Sequence, residues 1–209
     1  MTNQVLPGNC RGVRREEGLT NCAEVRGGQR RYKAFTLIEL ILVVGIIIVL
    51  AGLVLSTVGY TRKKGALARA ETEIAAMSAA VENYKADYGV YPYNNITNGL
   101  NARTRGDPVD TADPTYSNAT FYLYTQLSGD TTGNRSPTAK SYMVFKPNML
   151  LPAGGTGTVT AIADPFGYSY GYSTANQLDS TTGYNPTFDL WSTTGGRTIG
   201  DAPKWIKNW

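Results

Sequence analysis

Residues 40–61 form a run of 22 positions without a charged side chain, and the pattern changes abruptly behind them. From residue 67 onward, apolar positions recur at alternating spacings of three and four: Leu67, Ala70, Ile74, Met77, Val81, Tyr84 and Tyr88. At ~1.5 Å per helical residue the uncharged run covers ~33 Å, enough to cross a hydrocarbon core of ~30 Å. It predicts a membrane anchor. A cleaved signal peptide is the alternative, with Ala51, Gly52 and Ser56 as a weak small-residue site. The three-four spacing predicts that the helix continues as an amphipathic stalk, with Arg69, Glu71, Glu73, Glu82 and Lys85 off the apolar seam. Such a seam forms a coiled coil or docks on a sheet of its own chain; its short length and aromatic end favour docking. Gly89 suits a helix C-terminus, and Pro92 stops continuation.

The pattern becomes short and broken after the stalk. Residues 94–119, rich in Asn, Asp, Thr and Pro, read as a long loop. Phe121, Tyr124 and Leu127 have helical spacing, and Ser128-Gly129-Asp130 is a stop. Residues 141–146, 158–162, 168–172 and 188–192 are β-prone runs separated by Gly, Pro and Asn, as in an antiparallel meander. Between two of them Asp164-Pro165-Phe166-Gly167 is a turn signature. The fold class expected is α+β: a long N-terminal helix, anchor plus stalk, packed on a small antiparallel β-sheet head. Tyr168, Tyr170 and Tyr172 share one strand face, which serves either core packing, the favoured reading, or a binding surface.

Charge and composition narrow the chemistry. The chain has 20 Lys/Arg and 16 Asp/Glu, a net charge of +4, and no His. Residues 1–34 hold seven of the basic and three of the acidic residues, so they carry the whole excess and residues 35–209 are neutral. No basic stripe interleaved with aromatics stands in that neutral part, and nucleic acid is not an expected partner. Both cysteines, Cys10 and Cys22, also lie within residues 1–34, as a redox or metal pair or as incidental residues. Cys- or His-based catalysis and thiolate or imidazole metal sites are thereby excluded from residues 35–209. Asp164, Asp179 and Asp189 are candidate acid/base carboxylates, but nothing in the sequence pairs them, and no enzyme activity is expected.

Glu39 is the exception to the apolar segment, four residues behind Phe35 and six behind Lys33. A carboxylate in a membrane-length helix is costly, so it is read first as functional and in need of a partner. The stretch Lys33-Ala34-Phe35-Thr36-Leu37-Ile38-Glu39-Leu40 resembles the processing site of type IV pilins and of the pseudopilins of type II secretion. Tyr84-Lys85-Ala86-Asp87-Tyr88-Gly89-Val90-Tyr91-Pro92 resembles the end of that family's helix. The turn at 164–167, the Phe188-Asp189-Leu190-Trp191-Ser192 strand and the Ile206-Lys207-Asn208-Trp209 end are similar to the C-terminal half of the major type II pseudopilin. Many type IV pilins close this region with a disulfide, for which residues 35–209 have no Cys.

The resemblance implies cleavage by a prepilin peptidase between Ala34 and Phe35, where the family usually has Gly before the cut, and methylation. It divides the chain into a removed basic cytoplasmic leader (1–34), a transmembrane helix (35–61), an amphipathic stalk (62–89) and a globular head (90–209). The protein would sit in a bacterial inner membrane as a single pass with its head in the periplasm. The charges themselves leave orientation open, since Arg26, Arg30, Arg31 and Lys33 on one flank balance Arg62, Lys63, Lys64 and Arg69 on the other. The partners implied are further copies of the chain polymerised through this helix, the peptidase, minor pseudopilins, the inner-membrane secretion platform and the membrane. A type IV pilin of a surface fibre, for adhesion, motility or DNA uptake, is the alternative.

For assembly, the new amine of Phe35 is expected to pair with Glu39 of a neighbouring copy. Gly45, Gly52 and Gly59 recur every seven residues on one helix stripe, where backbones can approach closely or where Gly is merely tolerated. No Pro stands between residue 35 and Pro92, so any local unwinding relies on Gly52 or Gly59. The family's major pseudopilin holds Ca²⁺ in the loop after the last strand. The matching residues, 193–205, keep only Asp201 of the expected carboxylates and add Arg197 and Lys204. No cofactor is expected, calcium being doubtful, with Trp205 and Trp209 holding the loop by packing.

Overall fold

The structure, a computed structural model, describes residues 35–108 and 114–209. It is α+β, with one long apolar N-terminal helix and two small antiparallel sheets. The chain divides into two units, Met1–Ile47 and Ile48–Trp209. Helix α1 is Leu37–Tyr88, α2 is Asn95–Gly99 and α3 is Thr115–Ser128. Strands β1 (Leu150–Leu151) and β2 (Ala161–Ile162) pair with each other; β3 (Gly171–Ser173), β4 (Asp189–Ser192) and β5 (Ile206–Lys207) form the second sheet in that order.

In the second unit the apolar seam of α1 docks on the chain's own head. Ala70, Ile74, Met77 and Val81 are buried, and the last three join Leu123 and Leu127 of α3, Ile162 of β2 and Leu190 of β4 in the main core. The seam ends sooner than its spacing predicts: Tyr88 is exposed, its ring lying against Tyr84, ring centres 4.4 Å apart, and Tyr142, 6.4 Å apart. Glu73, off the apolar seam, does not face solvent. It is buried, because the Tyr170 hydroxyl donates to Glu73 Oε2 at 2.8 Å while Arg69 bonds Oε1 at 2.6 Å. A carboxylate so partnered on both oxygens is tolerated under a sheet.

Local signals explain the ends of the helices. Gly89 adopts φ +76° and donates its N–H to the Lys85 carbonyl at 2.7 Å, the left-handed stop that closes α1. The supposed loop 94–119 contains α2 and the start of α3. Asn94 caps α2 through the N–H groups of Ile96 and Thr97, and the Thr97 hydroxyl accepts from the Asn94 N–H, a capping box built from Thr rather than the usual Glu. Behind α3, Gly129 takes φ +74° and Asp130 gathers the Tyr124 hydroxyl and the N–H groups of Gly133 and Arg135.

Residues 141–146 do not form the expected strand. The N–H groups of Tyr142 and Met143 both donate to the Leu127 carbonyl, an acceptor left open at the C-terminal end of α3. Tyr142, Met143 and Phe145 still pack against the core. Their β propensity reported apolar packing rather than ladder pairing. The turn at 164–167 has the geometry its residues predict: Asp164 Oδ1 accepts from Phe166 and Tyr168, the Gly167 N–H reaches the Asp164 carbonyl at 3.0 Å, and Gly167 has φ +88°.

The second sheet is covered on both sides. Tyr170, Tyr172 and Leu190 belong to the main core, while Trp191 turns to a second cluster with Leu100, Ala102, Tyr116, Ala119 and Trp205. Tyr170 and Tyr172 are fully buried, and Tyr172 donates to the Pro92 carbonyl at 2.7 Å. The tyrosine run therefore serves the interior, and the binding-surface reading does not apply to these two.

Candidate functional site

The site read from the sequence has two parts, the start of α1 and the loop between β4 and β5. Ala34 lies outside the described residues. Phe35 is exposed, and Thr36 opens the helix: its carbonyl accepts from Leu40 at 3.2 Å and its hydroxyl from the Glu39 N–H at 3.3 Å. Thr36-Leu37-Ile38-Glu39 thus follows the Thr-x-x-Glu start signal, a spacing legible in the sequence. Glu39 is acidic in the first turn of α1, where the positive end of the helix dipole favours a carboxylate. Among the described residues that carboxylate accepts no hydrogen bond and joins no ion pair.

Large apolar side chains from Phe35 to Leu55 are all exposed. Among the described residues one helix, α1, is long and apolar enough to cross a membrane. A Cβ added at Gly45, Gly52 or Gly59 would meet nothing within 4 Å, so none of the three is required by packing inside the single chain. Their seven-residue recurrence keeps them close to one helix stripe.

The loop between β4 and β5 is built on close backbone approaches. Thr194 and Gly195 take φ +54° and +85°, and a Cβ on Gly196 would stand 2.6 Å from Asp201 Cβ. The Asp201 carboxylate accepts from Thr198 Oγ1 at 2.9 Å and pairs with Lys204 Nζ at 3.3 Å, which together hold its carboxyl below the usual range. Arg197 pairs instead with Asp107. Trp205 stacks on Trp191, ring centres 6.0 Å apart, and Trp209 stacks on Tyr184 at 4.7 Å. The aromatic packing expected of this loop is present. Among the described residues no group of three His, Cys, Asp or Glu side chains is placed to hold a metal ion. Its one carboxylate is already engaged by Thr198 and Lys204, and Arg197 and Lys204 add positive charge to the loop. A chelator is accordingly expected to leave the melting temperature of the purified chain unchanged; a fall of several degrees, reversed by added Ca²⁺, would contradict the packing account.

The three candidate acid/base carboxylates are engaged separately. Asp179 accepts from the N–H and hydroxyl of Thr181, and Asp189 from the N–H groups of Tyr184 and Asn185. Asp164 is buried beneath its turn, where its Oδ2 accepts from the Ser192 hydroxyl at 2.5 Å. Burial pushes the Asp164 carboxyl up, against the bonds from Ser192, Tyr168 and Phe166, and the charge of Glu73 adds to the rise. Because its folded value exceeds its unfolded one, folding takes up a proton there, and stability falls as pH rises from about 4 through the folded value. Asp164→Asn keeps an oxygen for the two turn amides and removes that titration. Its unfolding free energy should decline less than that of the unaltered chain over this window, as measured by urea melts at several pH values; parallel curves would contradict it.

No protein family, curated protein or solved structure with which the chain was compared matches it.

Proposed function

We propose that the chain is a pilin-like structural subunit of a type II secretion pseudopilus. In this reading prepilin peptidase cuts between Ala34 and Phe35, the apolar part of α1 holds the subunit in the inner membrane with the head in the periplasm, and copies polymerise to drive protein export. The observation that carries it is the division of labour along α1. The stalk seam is occupied by the chain's own head, whereas the large apolar side chains from Phe35 to Leu55 stand exposed and, among the described residues, the Glu39 carboxylate joins no ion pair. Lipid satisfies the first need, and a neighbouring copy's terminal amine satisfies the second. Deleting the gene should abolish release of exported enzymes into the medium. Unchanged export with loss of surface fibres would instead make the chain the subunit of a surface pilus.

A further inference from the structure

Among the described residues of 60–209, the two most exposed large apolar side chains other than the anchor's are Val144, 86% exposed, and Leu178, 74% exposed. Each stands beside an exposed charge that takes part in no ion pair within the described residues, a cation in one case and an anion in the other. Val144 and Lys146 border an open groove of about 410 Å³ whose other wall is the stalk, at Arg69, Thr72 and Ala76. Arg69 is already committed to Glu73, so Lys146 is the free cation there. Leu178 is followed by Asp179, of which only Oδ1 is engaged, by Thr181.

The two patches lie at different levels of the stalk. The groove is beside residues 69–76 of α1. Leading to Leu178, the chain bonds Glu73 of α1 through Tyr170, then Pro92 behind α1 through Tyr172, and then Thr97 and Asn98 of α2 through Thr174, ahead of the 3₁₀ turn Ala175–Gln177. The 12 residues of helix from Ala76 to Tyr88 alone correspond to ~18 Å. Between copies anchored in one membrane, whose helices run parallel, a projection at one level and a groove at another do not close into a symmetric pair. Joined between copies they make a heterologous contact, the kind that propagates into an open helical array.

We propose that Leu178 and Asp179 of one copy seat in the groove bordered by Val144 and Lys146 of the next, a head-to-head contact between second copies of this chain. Leu178 covers Val144 and Asp179 supplies the counter-charge to Lys146. The contact rests on the reading of the chain as a homopolymer subunit and adds to the anchor a second determinant of register.

The test is made with the full chain in cells that assemble it. Residues 35–209 contain no cysteine, so Val144→Cys and Leu178→Cys introduce the only thiols of a cleaved chain. Under mild oxidation the double variant should give a ladder of covalent multimers, and neither single variant should. In parallel, Asp179→Lys and Lys146→Asp should each lower fibre yield by about threefold, the scale of an exposed ion pair reversed, and the combined exchange should restore it. Fibres that form normally while the double cysteine variant stays monomeric, or a charge exchange without rescue, would overturn the contact and leave the subunit reading intact. Absence of fibres from the unaltered chain would overturn both.

Discussion

Glu39→Ala is expected to be inserted and cleaved normally and to assemble into almost no fibre. On the proposed reading the amine created at Phe35 and the carboxylate at Glu39 would each be costly alone in lipid, and removing one member of a buried pair typically costs about 3–5 kcal/mol. At about 1.4 kcal/mol per decade, that is a hundredfold or greater loss in the association constant at each subunit contact. The substitution keeps the Glu39 N–H, and with it the bond to Thr36 Oγ1 that opens α1. A failure to assemble therefore reports the carboxylate rather than a lost helix start. Gly52→Leu should weaken fibres by a separate route, since its added side chain meets nothing inside the chain but would hold neighbouring backbones apart. Pelleting of sheared or membrane-extracted fibres, followed by quantification of the chain, measures both.

The second large effect lies in the head. On β3, Gly171 faces Trp191 of β4, and a Cβ built at Gly171 would stand 2.1 Å from Trp191 Cε2. Trp191 has no room to retreat: it is fully buried, donates from Nε1 to the Tyr116 hydroxyl at 3.2 Å, and has Trp205 stacked on it. Gly171→Ala should cost at least about 3 kcal/mol, the upper range for overpacked cores. Trp191→Ala should cost about 3–5 kcal/mol through the cavity it leaves. The two are coupled. Once the indole is gone the added methyl has space, so Gly171→Ala in the Trp191→Ala background should cost far less than alone. Denaturant melts of the four chains test this, and additive losses would contradict the contact.

The sequence showed the parts of this fold that rest on periodicity and on backbone chemistry. The uncharged run, the three-four seam, the stop at Gly89 and the turn at Asp164 are each legible within a few residues. The structure places them as helix, docked face, left-handed cap and Asx-bonded turn. What stayed hidden depends on partners distant in the chain. Glu73 stands off the seam by its spacing, and its burial depends on Tyr170, 97 residues away. The role of Gly171 is set by the ring of Trp191 across the sheet, which no local pattern announces. Residues 141–146 looked like a strand, but the carbonyl of Leu127 captured their N–H groups. The start of α1 differs, since Thr36 and Glu39 carry the spacing of a helix start within the sequence itself, and the Thr36 hydroxyl accepts from the Glu39 N–H.

The central claim is that a chain beginning at Phe35 polymerises through its apolar helix. It is tested most directly by determining the N-terminus of the protein in the polymer itself. Fibres or high-mass complexes extracted from the membrane should yield chains starting at Phe35, and the Glu39→Ala protein should show the same terminus but remain in the monomer fraction. Chains that retain residues 1–34, or that begin after Ser56 and float free of the membrane, would contradict the account.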